Sequence, residues 1–191
     1  MTDAERSYRK MHTIMVHDSR LSGPTPSGDD ITPIRVDELT PLSRMVGQVA
    51  GSAIRRGTDV RLAILCHGFE DHGELGYGLQ LCHETITLNT VRQLAPLNGL
   101  ISYGIDIYSC GAAHTASFRA GGHGDGWTLC SRIARATASV VRAAELTQWY
   151  NFFDGIGGLF RQPISFGQWE GRVITFDARG QEVASAMSPT S

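Results

Sequence analysis

The sequence predicts an α/β fold with a mostly parallel central sheet flanked by helices and a C-terminal β-hairpin. Three observations carry that reading. Short apolar runs of strand length alternate with segments of helical periodicity, the order of a parallel sheet with crossover helices. Residues 60–66 (VRLAILC) are almost continuously apolar, as a strand covered on both faces must be. Near the C-terminus, two strand-like runs flank a turn at residues 177–180 (DARG).

Taken in order, residues 13–17 (TIMVH) form a first strand candidate, and residues 22–33 (SGPTPSGDDITP) carry Gly, Pro and Asp at loop density. A helix follows, with Thr40 as its N-cap and Pro41 at its first position. Gly57 closes it after Arg55 and Arg56. Leu42, Met45, Val46, Val49 and Ala53 repeat at helical spacing and give it one apolar face. After the strand at 60–66, residues 79–88 supply a short hairpin. Asn89 caps a brief helix at 90–95, ended by Pro96 and Gly99. Residues 101–109 (ISYGIDIYS) are the second strong strand candidate. A Gly-rich loop spans 111–126, and residues 127–145 are expected as one long helix, with Ile133, Thr137, Val140, Val141 and Ala144 along one side. Residues 168–176 and 181–184 make the closing hairpin. The expected organisation is a tail at 1–12, a single domain at 13–187 and a short tail at 188–191.

With 191 residues, 41% of them hydrophobic and 19% charged, the chain is long enough to bury a core and has an ordinary globular composition. A formal net charge of -2 provides no electrostatic footprint for nucleic acid, and no apolar run approaches the roughly 18 residues a membrane helix needs. The first ten residues (MTDAERSYRK) lack the apolar centre of a signal peptide. A cytoplasmic protein with reduced thiols is therefore expected, and delivery as an effector or toxin by another route stays compatible. Cys66, Cys82, Cys110 and Cys130 are irregularly spaced, which speaks against a disulfide framework.

In open α/β sheets, sites gather at the carboxyl ends of the strands. His67-Gly68 ends one strong strand and Cys110-Gly111 ends the other. The roughly 40 residues between them suffice for a crossover to a neighbouring parallel strand. As neighbours, the two strands would deliver an imidazole and a thiol to one edge of the sheet. A thiol whose proton is drawn off by an imidazole attacks carbonyl groups. Gly68 and Gly111 would let backbone N–H groups approach the oxyanion that forms.

These residues resemble the caspase-like cysteine peptidases, which include caspases, metacaspases, gingipain-like enzymes and the self-processing protease domains of bacterial toxins. The shared signature is an apolar strand ending in His-Gly and a second ending in the catalytic Cys, here LAILCHG and GIDIYSCG. The resemblance covers residues 60–111 and extends to the rest by element order alone. It implies a three-layer fold with helices on both faces of the sheet, catalytic His67 and Cys110, and an oxyanion hole from the backbone N–H groups of Gly68 and Cys110. It also implies a protein or peptide substrate and no cofactor. Members that cut after basic residues often have an acid two positions before the cysteine. Tyr108 stands there, so specificity is not carried over. Tyr108, Asp71, Trp149 and Tyr150 are expected beside the substrate, and Arg119 in the Gly-rich loop is a candidate processing site.

A metal reading starts from the same stretch. His67, Asp71 and His72 match three positions of the HxHxDH box of metallo-β-lactamase-like hydrolases, but Phe69 replaces the second histidine. His114 and His123 could complete such a set. A caspase-like domain that binds without cutting is the third reading. Oligomeric state is left open.

Overall fold

The computed structural model describes residues 11–70, 77–115, 125–146, 148 and 169–187. Its centre is a seven-stranded mixed sheet. The chain enters on β1 (His12–Asp18) and passes to β2 (Ile31–Val36) at the sheet edge. It returns through α1 (Leu42–Arg56) to β3 (Val60–Leu65). Strands β4 (His67–Glu70) and β5 (Tyr77–Gln80) then form a separate antiparallel ribbon. A 3₁₀ helix (Val91–Leu97) leads to β6 (Gly104–Tyr108), and α2 (Gly126–Thr137) leads to β7 (Val141–Ala144). Strands β8 (Arg172–Phe176) and β9 (Glu182–Met187) close the sheet as an antiparallel hairpin. The strand order is β2-β1-β3-β6-β7-β8-β9, parallel as far as β7 and antiparallel beyond it. The expected α/β class with a mostly parallel sheet and a terminal hairpin is what the chain adopts.

One face of this sheet carries the main core. Ile14 and Val16, Leu62 and Ile64, and Ile105 and Ile107 lie side by side in register and are buried in a single cluster. The apolar sides of α1 and α2, with Leu94 and Leu97 of the 3₁₀ helix, pack on the same cluster. The other face holds a smaller cluster of Met15, Leu21, Ala63, Leu65 and Tyr108, with Ile31 and Trp169 against it. The expectation of helices on both faces is therefore corrected for the described residues. Right-handed crossovers explain the result. The steps β2 to β3, β3 to β6 and β6 to β7 all move in one direction along the sheet, so their helices fall on one face. Only β1 to β2 steps the other way, and that connection contains no helix. Among the described residues, no helix is long and apolar enough to cross a membrane.

Several boundaries differ from expectation for identifiable reasons. Residues 31–33, expected to end a loop, open β2. Proline is tolerated there because β2 is an edge strand: Thr13 N–H donates to the Asp30 carbonyl and Ser19 N–H to that of Val36. Strand alternation then turns the even-numbered β2 residues towards β1 and Pro33 outwards, where its missing N–H costs no ladder bond. Thr40 does not cap α1, since its hydroxyl donates to Asp37 Oδ1 (2.6 Å). The Leu42 N–H donates instead to Glu84 Oε2 (2.7 Å), more than forty residues away in the chain. Residues 79–88 make only an isolated bridge between Leu79 and Ile86, while the true ribbon pairs β4 with β5. The long helix expected over 127–145 stops at Thr137, and Val141–Ala144 within it form β7. Ala138 adopts a left-handed φ of 48° there, and the chain resumes as strand at the β-branched Val141.

Candidate active site

The strands β3 and β6 are parallel neighbours, with Leu65 opposite Tyr108. The Cys66 N–H continues the pairing by donating to the Tyr108 carbonyl (3.4 Å). His67 and Cys110 each follow two residues after that registered pair, so the chain brings both to the carboxyl edge of the sheet at one height. The alternation also separates the neighbours of His67. Leu65 belongs to the smaller cluster, while Cys66 points into the main core. Cys66 is therefore a packing residue.

This edge is also where the sheet changes winding direction. The connection after β1 runs towards β2, and the one after β3 runs the opposite way, which makes the gap between their ends a topological switch point, the place where open α/β sheets bind ligands. A hydrogen bond crosses it: His67 Nε2 lies 3.2 Å from the carbonyl oxygen of Arg20. A carbonyl only accepts, so Nε2 carries the proton and Nδ1 of the neutral ring holds the lone pair. His67 and Gly68 are half-buried, and Gly68 pairs with Leu79 in the β4–β5 ribbon.

Cys110 is the one cysteine of the four that is not fully buried. Its thiol donates weakly to the Gln148 carbonyl (3.7 Å). The Gln148 side chain donates to the Glu170 carbonyl (2.9 Å) and accepts from the Glu170 N–H (2.9 Å), drawing the segment around Trp169 towards the nucleophile candidate. Burial pushes the thiols of Cys66 and Cys130 well above their ordinary range and that of Cys82 up to about 12. These three thiols stay protonated at neutral pH.

Two expected roles need correction. Gly111 does not offer its amide to an oxyanion, because its N–H donates to the Leu146 carbonyl (2.8 Å). Its φ of 58° lets the chain turn immediately after Cys110, a conformation open to glycine at little cost. Tyr108 is not a surface for substrate. It is buried, and Trp169 stacks on its ring with centroids 4.4 Å apart at 18°. The partly exposed Trp169 covers that ring instead. Asp71, His72, Arg119, His123, Trp149 and Tyr150 lie outside the described residues. His114 is exposed on the turn after Cys110. Among the described residues, no three His, Cys, Asp or Glu side chains gather where they could hold a metal ion.

The Arg20 carbonyl, Trp169 and Gln148 were not foreseen. The rule that singled out the ends of β3 and β6 applies equally to the end of β1, where Asp18-Ser19-Arg20 stands. No local pattern marks Gln148, which meets the Cys110 thiol, or Trp169, which stacks on Tyr108; both contacts are distant in sequence. Comparison with family models, curated proteins and solved structures finds no match for this chain.

Proposed function

We propose that the chain is a caspase-like cysteine endopeptidase, with Cys110 as nucleophile and His67 as its acid–base partner. The observation that carries the reading is the β3–β6 register, which sets the imidazole and the one accessible thiol at neighbouring strand ends. The sheet order and the antiparallel C-terminal hairpin agree with it. The hydrogen bond from Nε2 to the Arg20 carbonyl adds support, because it leaves Nδ1 as the nitrogen that can take the thiol proton.

In this reading the Cys110 sulfur attacks the scissile carbonyl of a peptide as its proton passes to His67. The oxyanion is met by the backbone N–H of Gly68 and by that of Cys110. Collapse of the tetrahedral species breaks the C–N bond, and the imidazolium hands its proton to the departing amine. Water, deprotonated by the same imidazole, then hydrolyses the thioester and restores the thiol. Trp169 lines the cleft beside the nucleophile, where an apolar or flat substrate group would lie.

The test is intact-mass labelling with limiting iodoacetamide near pH 7, comparing wild type with His67→Ala and assaying bound metal in the same preparation. Labelling confined to Cys110, slowed by about tenfold or more in the variant, is expected of a thiol activated by its imidazole. Equally slow labelling of Cys110 in both proteins would overturn the dyad. Stoichiometric zinc beside that result would move the assignment to a metal-dependent hydrolase.

A further inference from the structure

The segment that presents the Arg20 carbonyl to His67 is held with more hydrogen bonds than a surface turn requires. Asp18 closes β1 with a fully buried carboxylate, and both of its oxygens are doubly engaged. Oδ1 accepts from the backbone N–H of Arg20 (3.1 Å) and from its Nε (2.8 Å). Oδ2 accepts from Arg20 Nη2 (2.6 Å) and from the backbone N–H of Cys82 (3.0 Å). The same Nη2 donates to the Cys82 carbonyl (2.9 Å), so the guanidinium and carboxylate together grip both backbone polar groups of one distant residue. Cys82 meets them with a left-handed φ of 63°, uncommon for a residue other than glycine. Strain of this kind persists only where surrounding contacts hold it in place.

The next residue is fixed from the other side of the sheet. The Nε2–H of buried His17 donates to the Leu21 carbonyl (2.8 Å), and His17 Nδ1 accepts from the Thr25 hydroxyl (2.9 Å). Two consecutive carbonyls are thereby aimed at two different imidazoles, that of Leu21 at His17 and that of Arg20 at His67.

We infer that Asp18 is a positioning residue: through Arg20 and Cys82 it fixes the Arg20 carbonyl so that His67 is held as its Nε2–H tautomer. This rests on the peptidase reading for its purpose, since an acid–base histidine must keep its lone pair on the nitrogen that faces the nucleophile. Asp18 itself touches no substrate. Its carboxylate neutralises the guanidinium, so Arg20 is a structural cation and is not offered to an acidic substrate. A carboxylate suits the place because it can accept all four hydrogen bonds at once, whereas an amide would turn one donor group towards others.

The deciding measurement is two-bond ¹H–¹⁵N correlation of the histidine rings in ¹⁵N-labelled full-length protein, with His67 identified from the spectrum of His67→Ala. Wild type is expected to show His67 with a protonated Nε2 and an unprotonated Nδ1. In Asp18→Asn that pattern should be lost to a mixture of tautomers. Cys110 alkylation at neutral pH should fall by roughly tenfold, part of the 10²–10⁴-fold that a placed acid–base group contributes. Should Asp18→Asn fail to fold, Arg20→Ala decides the question, because it keeps the carbonyl and removes the guanidinium that ties it to Asp18 and Cys82. An unchanged His67 tautomer in a folded variant overturns the inference, even if Cys110 labels rapidly and depends on His67. A tautomer fixed in wild type and lost in the variant, beside a Cys110 that never labels faster than an ordinary thiol, upholds the positioning and removes the peptidase reading.

Discussion

His17 sits uncharged in the core, and its pKa is lowered chiefly by burial. The nearby Arg35 also lowers it, while the Leu21 hydrogen bond and Asp18 act the other way. His12 is lowered as well, mostly by burial and then by Arg56, with Asp30 opposing. For both, the unfolded chain takes up a proton near pH 6.5 while the folded chain resists it. Stability from these histidines is thus present above about pH 6.5 and is lost as the pH falls below it, levelling off under the folded-state values. Urea midpoints should drop between pH 7.5 and pH 5, and His17→Gln should flatten that slope. A midpoint independent of pH over this range would contradict the burial of neutral imidazoles.

At the scale of elements, tertiary contacts decide where several of them start and stop. The N-terminus of α1 takes its cap from Glu84 and not from the local Thr40, so a carboxylate answers both an orphan N–H and the positive end of the helix dipole. The end of α2 depends on Ala138, whose φ of 48° is strained for any residue with a side chain. Ala138→Gly should therefore stabilise the protein by about 0.5–1 kcal/mol, the strain relieved slightly exceeding the added chain entropy of the unfolded state. A thermal shift of roughly 1–4 °C upwards is the expected reading, and a downward shift would place the end of α2 elsewhere. At Gly104 the opposite holds. A Cβ there would stand 2.8 Å from the Val140 carbonyl, so the approach of β7 to β6 depends on its absence.

Across the whole molecule, the direction of the crossovers gives the sheet two unlike faces. The helix-covered face carries the main apolar core, while the other carries Asp106 in the middle of β6, paired with Arg61 (3.3 Å) and closely with Arg142. Asp106 is 2% exposed, so the two guanidinium groups replace the water it has lost. Removing it would leave two cations beside each other over a buried surface. Asp106→Ala should cost about 3 kcal/mol, read as a lower urea midpoint at constant slope. A change under about 1 kcal/mol would mean that water reaches the cluster and the pair behaves as a surface salt bridge.

The sequence alone sufficed for the α/β class, the first strand, α1, the two central strands and the closing hairpin. These elements announce themselves in local signals: the run at 60–66 for a strand covered on both faces, helical spacing from Leu42 to Ala53, and a turn at 177–180. The same signals put His67 and Cys110 at strand ends. Strand register, which depends on pairing between distant segments, was needed to set them at one height. Pro33 hid β2, because a proline in a strand is acceptable only at an edge, and the edge is a property of the assembled sheet. The β7 segment read as helix because Val140, Val141 and Ala144 keep a helical spacing that only the strand partners Ile105 and Ile107 override. The Arg20 carbonyl, the Asp18 clamp and the Tyr108–Trp169 stack were decided by tertiary structure alone. Each joins groups many residues apart through backbone atoms or buried faces, and side-chain identity along a chain does not encode which backbone oxygen will meet which ring.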